Sequence, residues 1–154
     1  TDRLLTKKQF IEEDELDQGI RKLLNFGHTF GHALESISSY KITHGVAVGY
    51  GMLAAINYVK ITQIIDDRDR SFYRLIHFLL SQSSSRNKHL IQKLFTCKKL
   101  FFKSFDADKK HSKDSYRLIV PKENSLEIIS VAKSSATKNL IWKSMTESLN
   151  LNEI

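Results

Sequence analysis

The sequence predicts a mainly α-helical domain with one small β-hairpin near residues 116–131, and three observations carry that reading. Long segments place apolar residues at helical spacing, the pattern of helices that bury one face. The β-branched residues concentrate in two short runs, Tyr116–Val120 and Leu126–Val131, around the only proline, Pro121. All six glycines fall between Gly19 and Gly51, so special backbone needs are confined to an early stretch.

In chain order, residues 4–17 read as a polar helix with an acidic cluster at Glu12–Glu15 and Asp17. A second helix is predicted from about Ile20 to Ser38, with Leu23, Leu24, Phe30, Leu34 and Ile37 on its apolar side. Two glycines inside it, Gly27 and Gly31, would each cost roughly 1 kcal/mol against alanine, which implies a packing or functional reason for them. Each precedes a histidine and is expected to leave room beside the ring. Ser38–Thr43 reads as a short loop, and a largely apolar helix follows over about 45–64, stopped by the polar run Asp66–Arg70. Further helices are expected at about 69–82 and 87–101, separated by a serine-rich turn at Ser81–Ser85. The hairpin then turns through Pro121–Ser125, and a last helix covers about Ser135–Leu149. No internal repeat or domain boundary is visible, so residues 1–154 read as one domain.

The 154 residues suffice for one core, and 41% hydrophobic with 27% charged residues is an ordinary globular composition. No apolar run reaches the ~20 residues that span a bilayer, and the first residues lack the apolar core of a signal peptide. No start methionine is present, which reads as a fragment boundary. A single cysteine, Cys97, rules out an internal disulfide and suits the reducing cytoplasm. A net charge of +7 fits either a plain basic surface or a site for anions.

The chemistry concentrates in Arg21–Glu35 and His44–Gly45. His28 and His32 are four residues apart, so a helix stacks them on one face. His44 opens the next helix after a short loop, so three imidazoles can converge at one end of a helical hairpin. Imidazole suits zinc, and a catalytic zinc commonly takes three protein ligands and keeps a position open. Spacing alone is equally compatible with a pair of packed histidines. The string is not a metalloprotease box, because Thr29 stands where that motif needs glutamate.

The wider string is more specific. Arg21-x-x-x-Asn25-x-x-His28-Thr-x-Gly-His32-Ala-x-Glu35, then His44-Gly45-x-Ala47-Val48 and Gly51-Met52, resembles the signature of 3-dehydroquinate synthases. Lys7 lies fourteen residues before Arg21, with Asp14-Glu15 and Gly19 between, and Asp108-Lys109-Lys110 precedes the hairpin; both resemble that family. The resemblance implies the helical C-terminal domain of an enzyme that cyclises 3-deoxy-D-arabino-heptulosonate 7-phosphate and releases phosphate, in the shikimate pathway. It implies NAD, held mainly by a preceding domain, and a zinc or cobalt ion held by an upstream glutamate with His28 and His44. His32 would stand near the substrate in proton transfer or phosphate contact. Lys7, Arg21 and Asn25 would face the substrate, and Lys109 or Lys110 its phosphate, with Lys109 the closer match. Glu35 reads as structural or as a partner of a histidine, the structural role being favoured. His77, His89 and His111 fit no motif, and Phe101, Phe102 and Phe105 read as core.

Two departures stand out. The family's His-Gly is followed by glutamate, whereas Val46 stands here, which opens the exact substrate to doubt and makes a related cyclase, such as a 2-deoxy-scyllo-inosose synthase, the alternative. The chain also lacks a Gly-rich strand–turn–helix for a dinucleotide. By itself it is expected neither to bind NAD tightly nor to complete a three-ligand zinc site, and to be inactive without the missing N-terminal half. A degenerate remnant is a further alternative. The full-length protein is expected to be a homodimer. Neither a membrane nor a nucleic acid is an expected partner, since nucleic-acid binding would not require the glycine–histidine string.

Overall fold

The computed structural model describes residues 25–63, 71–83, 94, 96–122 and 125–150. Among these, five helices and one hairpin follow in the order α1 (His28–Ile37), α2 (His44–Thr62), α3 (Ser71–Ser83), α4 (Lys98–Asp106), β1 (Ser115–Lys122), β2 (Ser125–Ala132) and α5 (Ser135–Leu149). The mainly helical reading with a late hairpin holds. The polar helix predicted at 4–17, and Lys7, Arg21 and His89, lie outside the described residues.

The central element is α2. Residues from Ala47 to Val59 are buried with only two breaks, Gly49 and Met52, as expected of a helix that is apolar all round. Helices α1, α3 and α5 and strand β1 pack on it, while α4 packs on α1. The core joins Phe30, Leu34, Tyr50, Leu53 and Val59 to Phe101, Phe105, Tyr116, Leu118, Ile141 and Met145. Removing a side chain such as Leu53, which has no exposed surface, would cost about 2–5 kcal/mol. One polar tie crosses this interior: Asn57 on α2 donates its amide N–H to the Ser144 carbonyl on α5 at 3.4 Å.

Several predicted boundaries move. The helix expected from residue 20 does not run through residue 27: Asn25–Gly27 form a 3₁₀ turn, and Gly27 sits at φ 81, so α1 starts at His28. The break is set by tertiary contact rather than by helix propensity. A Cβ on Gly27 would lie 2.7 Å from the Val48 carbonyl oxygen, and one on Gly31 2.9 Å from that of Ala47. On Gly51 it would overlap the Gly27 carbonyl oxygen. The glycines therefore make room for the backbone of α2 against α1, not for the imidazole rings. Helix α3 continues through Ser83, so Ser81–Ser83 of the expected turn are helical and the rest of that turn lies outside the described residues. The helix expected over 87–101 is interrupted at Thr96–Cys97, and α4 restarts at Lys98 and extends to Asp106.

The hairpin is tighter than its polar residues suggested. Pro121 pairs with Leu126 and Lys122 with Ser125, so the ladder runs through the expected turn. A two-stranded sheet has only edge strands, where a missing proline N–H is tolerated. The tail helix agrees with its predicted limits, and the Ser134 hydroxyl caps it by accepting the Thr137 N–H at 3.1 Å.

Candidate metal centre

Helix α1 carries His28 and His32 one turn apart, and the link to α2 brings in the third ring. Ser38, buried at the end of α1, donates its hydroxyl to the Glu35 carbonyl at 2.7 Å and accepts the Ile42 N–H at 3.3 Å. Between them the chain reverses through Ser39 and Tyr40, both at positive φ. Left-handed backbone costs such residues roughly 1–2 kcal/mol each. The reversal returns His44 to the histidine face of α1 as the first residue of α2.

The three rings form a nearly equilateral triangle. Ring centroids are 5.4 Å apart for His28 and His32, 5.3 Å for His28 and His44, and 5.6 Å for His32 and His44. One nitrogen from each lies within 4.8 Å of the others. His28 is half-buried, whereas His32 and His44 are exposed.

The neighbours of two rings fix which nitrogen is free. His44 Nδ1 lies 3.0 Å from the Glu35 carboxylate and His28 Nδ1 lies 3.3 Å from the Phe26 carbonyl oxygen. Both partners only accept, so each Nδ1 carries the proton and each Nε2 keeps its lone pair. Protein-bound metals use this arrangement, in which the outer nitrogen of a ligating imidazole donates to a carboxylate or carbonyl. Burial holds His28 below the ordinary imidazole range; the charges of His32, His44 and Lys110 act in the same direction, and the bond to Phe26 opposes them. The half-buried ring is therefore biased toward the neutral form that can ligate.

Glu35 pairs with His44, so of the two roles open to it from the sequence it has the contact of a histidine partner. It lies seven residues after His28, two turns along the same helix face, and that spacing was the available signal. It also supplies a carboxylate beside His44 although Val46 does not; Val46 packs partly buried against the core. Of the two lysines after Asp108, Lys110 bears its charge on His28. The Asp108 carboxylate accepts the Lys110 backbone N–H at 2.9 Å, while Lys109 is exposed. Asn25 lies half-buried just before Gly27. His77 stacks on Tyr73, and His111 packs between Phe105 and Tyr116, away from the triangle.

Residues 2–111 match the model of the 3-dehydroquinate synthase C-terminal family. The chain belongs to that family. A 3-dehydroquinate synthase from Clostridium tetani is 35% identical over 147 residues, covering 96% of this chain and 36% of the relative. One from Pelagibacter ubique is 32% identical over 143 residues, covering 90% of this chain and 38% of the relative. The chain thus spans little more than a third of these 3-dehydroquinate synthases. Among solved structures, a 2-deoxy-scyllo-inosose synthase complexed with carbaglucose-6-phosphate, NAD+ and Co2+ shares the fold, with a TM-score of 0.65 and 22% identity over 92% of this chain and 38% of that one. No helix among the described residues is long and apolar enough to cross a membrane.

Proposed function

We propose that this chain is the metal- and substrate-binding part of a cytoplasmic 3-dehydroquinate synthase, a lyase that closes 3-deoxy-D-arabino-heptulosonate 7-phosphate to 3-dehydroquinate with loss of phosphate. The observation that carries the reading is the triangle of His28, His32 and His44, with Glu35 behind His44, lying within the part of the chain that matches the family. NAD and one further metal-ligating carboxylate would come from a preceding half. The relatives' greater length and the NAD+ and Co2+ bound by the related cyclase support that division.

The donor set fits a divalent ion such as zinc or cobalt, because two lone pairs are already presented on Nε2 and the partner acceptors hold the rings in place. When bound, such an ion polarises hydroxyl and carbonyl oxygens of the sugar acid. His28 and His44 would hold it. His32, exposed beside them, can pass a proton to the departing phosphate. Lys110 supplies a point charge for that phosphate, and Arg21 can grip the substrate carboxylate through two parallel N–H donors. Asn25 and Lys7 would complete the polar lining.

The test is phosphate release by the protein extended to include its preceding half, supplied with NAD, Co2+ and the heptulosonate phosphate. Turnover that disappears in His28→Ala is expected; none at all would reject the assignment in favour of a non-catalytic remnant. Val46 favours one second reading, a related sugar-phosphate cyclase, and preferential turnover of a different sugar phosphate would select it.

A further inference from the structure

Between α4 and β1 the chain turns at Asp108–His111, and the turn is closed twice over. The His111 N–H donates to the Asp108 carbonyl at 3.1 Å, and the Lys110 N–H donates to the Asp108 carboxylate at 2.9 Å. Lys109 and Lys110 therefore occupy the two central places of one turn. Asp108 holds the first place, where a short carboxylate can bond the backbone two residues on. Among the described residues that N–H is the only hydrogen-bond partner of the carboxylate, whose other oxygen is buried without one. Both ends of the turn are tied down. The Asp108 N–H donates to the Phe105 carbonyl of α4 at 3.3 Å, and His111 Nδ1 accepts the Arg117 N–H of β1 at 3.0 Å. The His111 ring packs on Phe105, and Phe105 packs on Phe30, which lies between His28 and His32 on α1. The turn is thus built onto the helix that carries the histidines, and the Lys110 charge is felt at His28.

We propose that Asp108 is a positioning residue for phosphate: by holding the Lys110 backbone in the turn, it fixes where that ammonium stands relative to the histidine face of α1. This rests on the proposed function for the anion, and adds to it a residue that acts through Lys110 rather than on the substrate. Lysine meets phosphate as a point charge on a flexible four-carbon stem, so its head group supplies no direction of its own. The direction has to come from the backbone. Without the carboxylate the Lys110 N–H loses its partner and the centre of the turn is free to rotate, so that binding an anion must first order it. Asp108 cannot serve the anion directly, because its negative charge repels phosphate. Position and charge therefore act in opposite directions at this residue. An amide in its place keeps the acceptor and removes the repulsion, which makes the role separable from a plain charge effect.

The experiment is a calorimetric titration of inorganic phosphate into the protein extended to include its preceding half, loaded with NAD and Co2+ and freed of excess ion. Thermal melting of each variant runs beside it. Asp108→Ala should weaken phosphate binding about tenfold. Asp108→Asn should bind at least as tightly as the unaltered protein, because its side-chain oxygen still accepts the Lys110 N–H. In a double-mutant cycle, Asp108→Ala should cost little once Lys110→Ala is present. The proposal is overturned if Asp108→Asn loses as much as Asp108→Ala, or if the losses at Asp108 and Lys110 simply add. Coupling of Asp108→Ala to Lys109→Ala instead also overturns it, as does a lack of phosphate binding by the unaltered protein. Should Asp108→Ala fail to fold, Asp108→Asn is compared with Asp108→Ser, whose hydroxyl closes such a turn more weakly; the Ser variant should bind less tightly, and equal binding overturns the proposal. If the extended protein turns over the heptulosonate phosphate and Asp108→Ala changes neither kcat/KM nor phosphate affinity, the inference fails and the proposed function stands. If phosphate binding follows the expected order without turnover, the inference stands and the proposed function fails.

Discussion

Two histidine-bearing regions of this chain use the same ring for opposite purposes. At the α1–α2 end, His28, His32 and His44 lie 5.3–5.6 Å from one another. Behind α4, His111 lies 5.0 Å from both Phe105 and Tyr116. The distances are alike, and burial lowers the proton affinity of both His28 and His111. The hydrogen bonds differ. His28 and His44 face acceptors at Nδ1 and so present a lone pair at Nε2, whereas His111 Nδ1 accepts the Arg117 N–H at 3.0 Å. Its proton is thereby placed on Nε2, which is buried without a hydrogen-bond partner among the described residues. A neutral His111 therefore has no free lone pair to offer. The group opposite one nitrogen decides whether a histidine can ligate or only pack.

The surroundings of each region follow the same division. His111 belongs to an aromatic cluster in which Tyr116 donates its hydroxyl to Asp106, and burial and that carboxylate push the phenol well above its usual range. Lys138 approaches the Asp106 carboxylate and the Phe102 ring, closing the cluster from outside. Among the described residues the triangle has no such cover. Its only carboxylate neighbour among the described ion pairs is Glu35.

The largest effect is expected where the backbones touch. Gly51→Ala would drive a methyl group into the Gly27 carbonyl oxygen, which neither helix can evade, and should cost more than about 3 kcal/mol of stability by denaturant unfolding. A variant of unchanged stability would show that the helices separate easily and that the triangle is not held from beneath. Next, His28→Ala should weaken Co2+ binding by at least about a hundredfold, while His111→Ala should leave it unchanged and lower stability by about 1–2 kcal/mol through the packing lost against Phe105 and Tyr116. Calorimetric titration beside thermal melting separates the two. Metal loss in His111→Ala at full folding would erase the contrast between the regions.

A smaller change sharpens it. Glu35→Gln keeps the shape but removes the charge behind His44, and should reduce metal affinity about 10–100-fold with little change in the unfolding midpoint of the metal-free chain. The pH response probes the packed histidine. Because the folded state holds His111 below the ordinary value of 6.5, the unfolded chain binds the extra proton first. Stability from this residue is then present above about pH 6.5 and declines as acid takes the pH down toward the folded value. Metal-free His111→Phe should show a shallower loss of stability over that range; an identical slope would mean that this ring does not govern it. The smallest effect is expected at Gly45, where an added Cβ meets nothing within 4 Å. Gly45→Ala should be neutral or stabilising by up to about 1 kcal/mol, the helix propensity gained.

The sequence by itself determined the elements whose local pattern and burial agree. The long apolar run from Gly45 predicted α2, the β-branched runs predicted the hairpin, and the tail helix ended where expected. His28, His32 and His44 were also legible, since helix periodicity and a short loop are enough to gather three rings at one end of two helices. Only the tertiary structure decided what depends on a neighbour distant in sequence or on hydrogen-bond direction. Gly27 breaks the helix because α2 passes against it. The α4 boundary follows from packing Phe101 and Phe105 beneath α1 and the hairpin, not from a local stop signal. Glu35 became a partner of His44 through a chain reversal pinned by Ser38. Periodicity reports which face a residue shares along one helix; it carries no information about the backbone of the next helix or about which imidazole nitrogen holds the proton.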